Sequence, residues 1–223
     1  MSADGKTEIH NFTFYRISKS LLDLEAKERR RMVSEFEVTL RDSGLLAASY
    51  SLAGLRPETD FMLHFVSDDI IVMENALAKT RRAGLTRFLE TPYVYLCTKR
   101  KSEYAVDGES EVNLKSGEGK LLFVYPFVKT REWYLLPLSE RKRIMTEHIT
   151  VGRKYPGVRI NTAYSFGIGD QDFFLSFDGN DIQSFQSLVM ELRNTEASKY
   201  TVRDTPMFVC VKKPLEQILQ ELC

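Results

Sequence analysis

The amino-acid sequence predicts an α+β fold made of two ferredoxin-like βαββαβ units, their sheets forming a β-barrel or sandwich with the helices outside. Three observations predict it. Two stretches of the chain run through the same order of strand-like and helix-like periodicities. Local matches recur at one offset: Glu28-Arg29 with Glu140-Arg141, Asp60-Phe61 with Asp172-Phe173, and Asp69-Ile70 with Asp181-Ile182, each 112 residues apart. Thr91-Pro92 and Thr205-Pro206 lie 114 apart, each ahead of an apolar strand that carries a cysteine, Cys97 or Cys210. A repeat of this length implies a duplicated supersecondary unit.

In the first half, a strand is expected over Phe12–Arg16 and a helix over about Glu25–Arg41, stopped near Gly44. Strands near Leu46–Ala53 and Asp60–Val66 follow, turned by the Gly- and Pro-bearing run Gly54–Thr59. A helix over Asp68–Arg82 and a strand over Tyr93–Thr98 complete this half. The second half opens with a strand over Lys120–Val128, apolar on both faces and therefore buried, with Pro126 expected to mark its end or a bulge. A helix over Ser139–Arg153 comes next, then strands near Val158–Phe166 and Gln171–Phe177. Asp181–Arg193 reads as a helix with Asn180 as its N-cap, Thr205–Val211 as the last strand, and Pro214–Leu222 as a tail helix. The expected domains are 1–98 and 120–223, joined by a flexible linker over 99–119 rich in charge, Gly and Ser.

Bulk properties narrow the function classes. Basic and acidic residues balance at 31 each, so no global field points to nucleic acid, and Lys27–Arg31 and Lys99–Lys101 read as solvated runs. Cys97, Cys210 and Cys223 are odd in number and lack CxxC spacing, which fits reduced thiols. The polar start Met1–Lys6 has no apolar signal core, and no window approaches the roughly 18 apolar residues of a membrane span. A cytoplasmic protein is expected.

Chemistry concentrates on one histidine. His148 falls on the apolar face of its helix with Ile144, Met145 and Val151. A buried imidazole needs a polar partner, and a metal, a carboxylate or a backbone carbonyl would each serve. At the repeat offset His148 corresponds to Phe36. A duplicated scaffold that carries phenylalanine in one copy and imidazole in the other points to a site in the second. Tyr125 is the only phenol on its apolar strand, and a buried hydroxyl needs a partner. Lys129, Arg131 and Arg153 are cations that could hold anionic groups, while Trp133 and Tyr134 read as packing residues. His10 lies near a mobile terminus on this reading, and His64, in a predicted strand, reads as a core or sheet-surface residue. Gly167-Ile168-Gly169 lacks the rest of a phosphate loop, and no HExxH motif occurs.

The second half resembles the chlorite dismutase family, which includes the coproheme decarboxylases. The resemblance rests on Tyr125-Pro126-Phe127-Val128-Lys129, Glu132-Trp133-Tyr134-Leu135-Leu136-Pro137, Glu140-Arg141 and Met145-Thr146-Glu147-His148. It continues through Gly152–Arg159, Asn161-Thr162, Gly169–Phe173, Leu192-Arg193 and Thr195-Glu196-Ala197. It implies an iron-porphyrin cofactor, haem b or coproheme, with His148 as the axial metal ligand. Tyr125 and Lys129 become the catalytic pair: the tyrosine relays oxidation to a propionate, and the lysine anchors that carboxylate. Trp133 and Asn161 join His148 and Lys129 as expected cofactor contacts. The implied reaction is peroxide-dependent decarboxylation of coproheme propionates to give haem b. Chlorite conversion to chloride and dioxygen is the alternative oxidant chemistry, and a non-catalytic haem-binding or iron-free member is a further alternative. The resemblance also implies a homo-oligomer, with a pentamer favoured.

Two departures from the family pattern bear on this. Where chlorite dismutases place an arginine over the iron, this chain reads Arg159-Ile160-Asn161, with Asn161 or Ile160 nearest in register, which disfavours chlorite turnover. The actinobacterial decarboxylases use a distal histidine before the second half, and no histidine occurs between His64 and His148.

Overall fold

The computed structural model describes residues 7–104 and 119–223; most of the expected linker, 105–118, lies outside the described residues. The first elements are β1 (Ile9–Ile17), α1 (Ala26–Ser43), β2 (Leu46–Arg56), β3 (Thr59–Ser67), α2 (Ile70–Thr80) and β4 (Leu89–Thr98). There follow β5 (Leu121–Lys129), α3 (Arg131–Leu135), α4 (Leu138–Arg153), β6 (Val158–Tyr164), β7 (Phe173–Gly179) and α5 (Ile182–Arg193). The chain ends with β8 (Thr201–Arg203), β9 (Phe208–Lys212) and α6 (Leu215–Leu222). The elements form two compact units, one of Met1–Thr98 with Cys210–Cys223 and one of Lys99–Val209.

In the first unit the antiparallel strands are ordered β4-β1-β3-β2. Helix α1 turns Met32, Phe36 and Leu40 inward at four-residue spacing. There they meet Tyr15, Phe61 and Leu63 of the sheet. Gly44 ends α1 at φ +66°, a left-handed value at which a side chain would be strained. The last stretch of the chain belongs to this unit rather than to the second half. Val211 and Lys212 of β9 pair with Ser51 and Tyr50 of β2, and Ile218 and Leu219 of α6 are buried in the α1 core. An amphipathic tail helix goes where its apolar stripe can be covered, and sequence order does not decide where that is. His10 is not in a loose terminus. It lies fully buried in β1, with Nδ1 2.9 Å from Nε2 of His64 and Nε2 3.0 Å from the Glu8 carboxylate.

In the second unit the antiparallel order is β6-β7-β5-β8. Strand β5 continues through Pro126, paired with Phe174, as far as Lys129. The sequence pattern predicts neither the short β8 nor the one-turn α3, whose Trp133 N–H donates to the Thr130 hydroxyl at 3.3 Å. Asp181, not Asn180, caps α5, accepting from the N–H groups of Gln183 and Ser184. Asn180 instead accepts from Lys120 N–H at 2.9 Å. Asp69 caps α2 in the same two-bond way, so the repeat matches at Asp69 and Asp181 mark equivalent helix starts.

Candidate functional site

The second-unit sheet has one face toward the α4–α5 layer, and strand alternation decides which side chains occupy it. Tyr125 of β5 lies opposite Leu175 of β7, which lies opposite Thr162 of β6. Phe123, Phe177 and Ile160 form the next row, and Phe127, Phe173 and Tyr164 the row beyond. Phe123, Tyr125, Val158 and Phe177 are buried in one cluster with Leu188 of α5, which identifies this face as the helix-covered one. Tyr125 stacks on Phe177, with ring centroids 5.5 Å apart. Burial raises its phenol pKa above the ordinary range; the Asp204 carboxylate adds to this and Arg193 opposes it.

Helix α4 brings His148 to this layer. Ile144, one turn before, is buried with Trp133 and Ala197. Gly152, one turn after, allows close approach, since a Cβ there would sit 3.1 Å from the Ile160 Cδ1. His148 is half-buried, and its Nδ1 is 3.4 Å from the Thr195 hydroxyl. Its pKa is lowered to about 4, chiefly by desolvation, with the Lys129 ammonium adding to the shift and Glu147 opposing it. The imidazole is therefore a neutral base at physiological pH, with a lone pair able to bind a metal.

Lys129 stands beside it. Its ammonium donates to the Ala197 carbonyl at 2.9 Å and lies 4.5 Å from the centroid of the Trp133 ring. Burial lowers its pKa to about 8. The strand end is pinned by Asp172, whose Oδ2 accepts from the Lys129 backbone N–H at 2.8 Å and from the Tyr134 hydroxyl at 2.7 Å. Trp133 is 1% exposed and touches Tyr104 and Tyr200 at its edges. Arg141 donates to Glu103 and to the Tyr104 hydroxyl, anchoring the segment before residue 105 against this cluster.

The structure thus gathers His148, Lys129 and Trp133, and puts Tyr125 on the same sheet face as Lys129, four residues apart on one strand. Asn161 is not among them. It alternates with Ile160 and Thr162, lies opposite Ser176 on the other face of the sheet, and is buried there. Arg159 shares that other face. The residues on the helix-side face include Ile160 and Thr162, and Ile160 is 40% exposed, an apolar side chain that α4 covers only in part, at Gly152. The sequence does not single out Thr195 as a partner of His148; the two are 47 residues apart, and no spacing pattern links them.

Fold and site together define an α+β protein in which a helix-borne, free-base histidine and a desolvated lysine face an apolar sheet. Residues 24–213 match the family pattern described as chlorite dismutase, and the chain belongs to the chlorite dismutase family. A coproheme decarboxylase of Mycolicibacterium smegmatis (strain ATCC 700084 / mc(2)155) is 29% identical over 201 residues, 88% of this chain and 87% of that protein. The structure of chlorite dismutase from Candidatus Nitrospira defluvii in complex with imidazole superposes with a TM-score of 0.87 at 25% identity, covering 96% of this chain and 94% of that one. The putative chlorite dismutase TA0507 superposes with a TM-score of 0.82 at 23% identity, covering 98% of this chain and all of the other.

Proposed function

We propose that this chain binds an iron porphyrin, coproheme or haem b, through His148 and decarboxylates coproheme propionates with peroxide. The observation that carries this reading is the placement of a neutral imidazole, a desolvated ammonium and a buried phenol around one apolar layer. The chemistry of the group fits that donor set. A porphyrin supplies its own four equatorial nitrogens, so the protein needs one axial base. The absence of any three-residue His, Cys, Asp or Glu cluster among the described residues is compatible with that. The flat hydrocarbon of the ring suits exposed Ile160 and its aromatic neighbours, and propionates suit Lys129.

When bound, the iron supplies two-electron chemistry with peroxide. The chain's residues supply position and proton control. His148 offers a lone pair without first losing a proton, because its pKa is low. Lys129 fixes a propionate by a charge-assisted bond, at the end of the strand that carries Tyr125. Tyr125 is the redox relay, a phenol kept protonated by burial until it gives up an electron and a proton together. Each propionate becomes a vinyl group and carbon dioxide, losing two electrons and one proton. Peroxide takes up those two electrons and two protons to give two waters, so one further proton is consumed.

Chlorite turnover is less well supported, since neither Arg159 nor Asn161 faces the helix layer and β6 offers no cation there. A carrier role would need the same His148 ligation without the Tyr125 step. The element order of the two units supports a duplicated ferredoxin-like scaffold, and the family resemblance favours a cytoplasmic homopentamer, testable by light scattering.

The test is an absorption spectrum of the purified protein with coproheme and with haem, repeated with His148→Ala. A Soret shift lost in the variant is expected; no shift in the intact protein refutes iron binding. Mass spectrometry after peroxide should then show stepwise mass loss that Tyr125→Phe abolishes. Loss undiminished in that variant refutes the assigned relay, and dioxygen release from chlorite would move the reading to the alternative.

A further inference from the structure

We infer that Thr195 is the positioning residue that sets the tautomer of His148, and that the ring's partner is a neutral hydroxyl rather than a carboxylate. The inference rests on His148 being the axial base, and its test is independent of that. Thr195 follows Asn194, the C-cap of α5, and is buried, and its hydroxyl proton has a destination already: it is donated to the Leu192 carbonyl at 2.7 Å. A hydroxyl has one proton and two lone pairs. With the proton spent, the oxygen can meet His148 Nδ1 only as an acceptor. The 3.4 Å contact is attractive when Nδ1 carries the hydrogen and repulsive when it carries a lone pair. The neutral ring is therefore the Nδ1–H tautomer, and Nε2 holds its only lone pair. The bond is long, as supporting bonds often are before a ligand is in place.

Thr195 is a rigid acceptor. Its N–H also donates to Leu192 O at 3.2 Å. Its carbonyl accepts from the N–H and the hydroxyl of Ser198 at 3.1 and 2.8 Å. Its branched side chain restricts rotation as well. The carboxylates nearest in sequence are engaged elsewhere: Glu147 accepts from the Glu196 N–H at 3.0 Å, and Glu196 is paired with Arg143 at 2.8 Å. A carboxylate partner would draw on the Nδ1 proton and make the ligand more imidazolate-like, whereas a hydroxyl leaves it a neutral imidazole.

The experiment is a long-range proton–nitrogen correlation spectrum of the ligand-free, nitrogen-15-labelled protein at about pH 7, with His148 assigned by loss of its signals in His148→Gln. The expected wild-type pattern has Nδ1 protonated and Nε2 bare. Thr195→Ser should retain it. Thr195→Val should lose it, shifting the ring toward Nε2–H while the backbone amide spectrum stays folded. An Nε2–H pattern in the wild type overturns the inference even if the valine variant fails to fold, as does an unchanged pattern in a folded Thr195→Val. Porphyrin is absent throughout, so a protein with the Nδ1–H tautomer and no Soret shift would refute the ligand reading alone.

Discussion

The Lys129 ammonium sits 4.5 Å from the Trp133 ring centroid while donating to the Ala197 carbonyl at 2.9 Å. One hydrogen bond and two aromatic rings, Trp133 and Phe127 (5.4 Å), replace the water an ammonium normally keeps, and burial lowers its pKa to about 8. The lysine is held in an under-solvated state that a carboxylate would relieve.

Affinity for a propionate-bearing porphyrin should therefore depend on this proton. Binding is expected to weaken as pH rises past a midpoint at or above 8, since the bound carboxylate raises the ammonium's pKa. In Lys129→Met the affinity should fall about tenfold or more near neutral pH, and this alkaline limb should flatten. Titrations followed at the Soret band between pH 6 and 10 check both; an unchanged limb in the variant would remove Lys129 from the anchor role.

His148 sets the acid limit. Its folded pKa, about 4, is below the ordinary 6.5, so the folded ligand-free protein binds fewer protons than the unfolded chain between those values. This contribution to stability is fully present above 6.5 and is lost as pH falls through the folded pKa. Buried His64, also shifted down by desolvation and by His10, acts in the same direction. Denaturant melts from pH 7 to 4 should show declining stability, less steep in His148→Phe. Porphyrin ligation should hold down to about pH 5 and fail toward pH 4.

Neighbouring positions on β6 should behave oppositely. Ile160→Ala alters the helix-side wall and is expected to shift the porphyrin spectrum with a stability change under about 2 kcal/mol, because the side chain is already partly exposed. Asn161→Ala removes a buried polar group from the other face and should cost about 1–3 kcal/mol with the spectrum unchanged. Paired thermal melts and spectra decide, and a spectral shift confined to Asn161→Ala would reverse the assignment of faces.

The tail helix should matter for stability. Ile218 and Leu219 are fully buried against the first-unit core, so either to Ala should cost roughly 2–5 kcal/mol. Calorimetry of Ile218→Ala measures this, and a loss below half a kcal/mol would contradict the packing.

Most element types could be read from sequence because they rest on local physics. Met32, Phe36 and Leu40 announce the buried stripe of α1, and Gly44 its end. Asp69 and Asp181 look equivalent in sequence and cap equivalent helices. Structure and sequence pattern differ where a local signal has a near competitor. Asn180 and Asp181 are both good caps, and the backbone geometry chose the second. Pro126 reads as a strand end or a bulge, yet β5 runs through it in unbroken register with β7.

The sequence by itself determined the order of the main elements, the amphipathic helix that carries His148, and the family pattern around Tyr125 and Lys129. These depend on periodicity and residue type over a few turns. Only the tertiary structure decided that Ile160 rather than Asn161 shares the layer with His148, because side chains alternate and a one-residue shift in register exchanges the two faces of a strand. It alone joined Thr195 to His148 and α6 to the first unit, since those contacts form by packing between segments far apart in the chain.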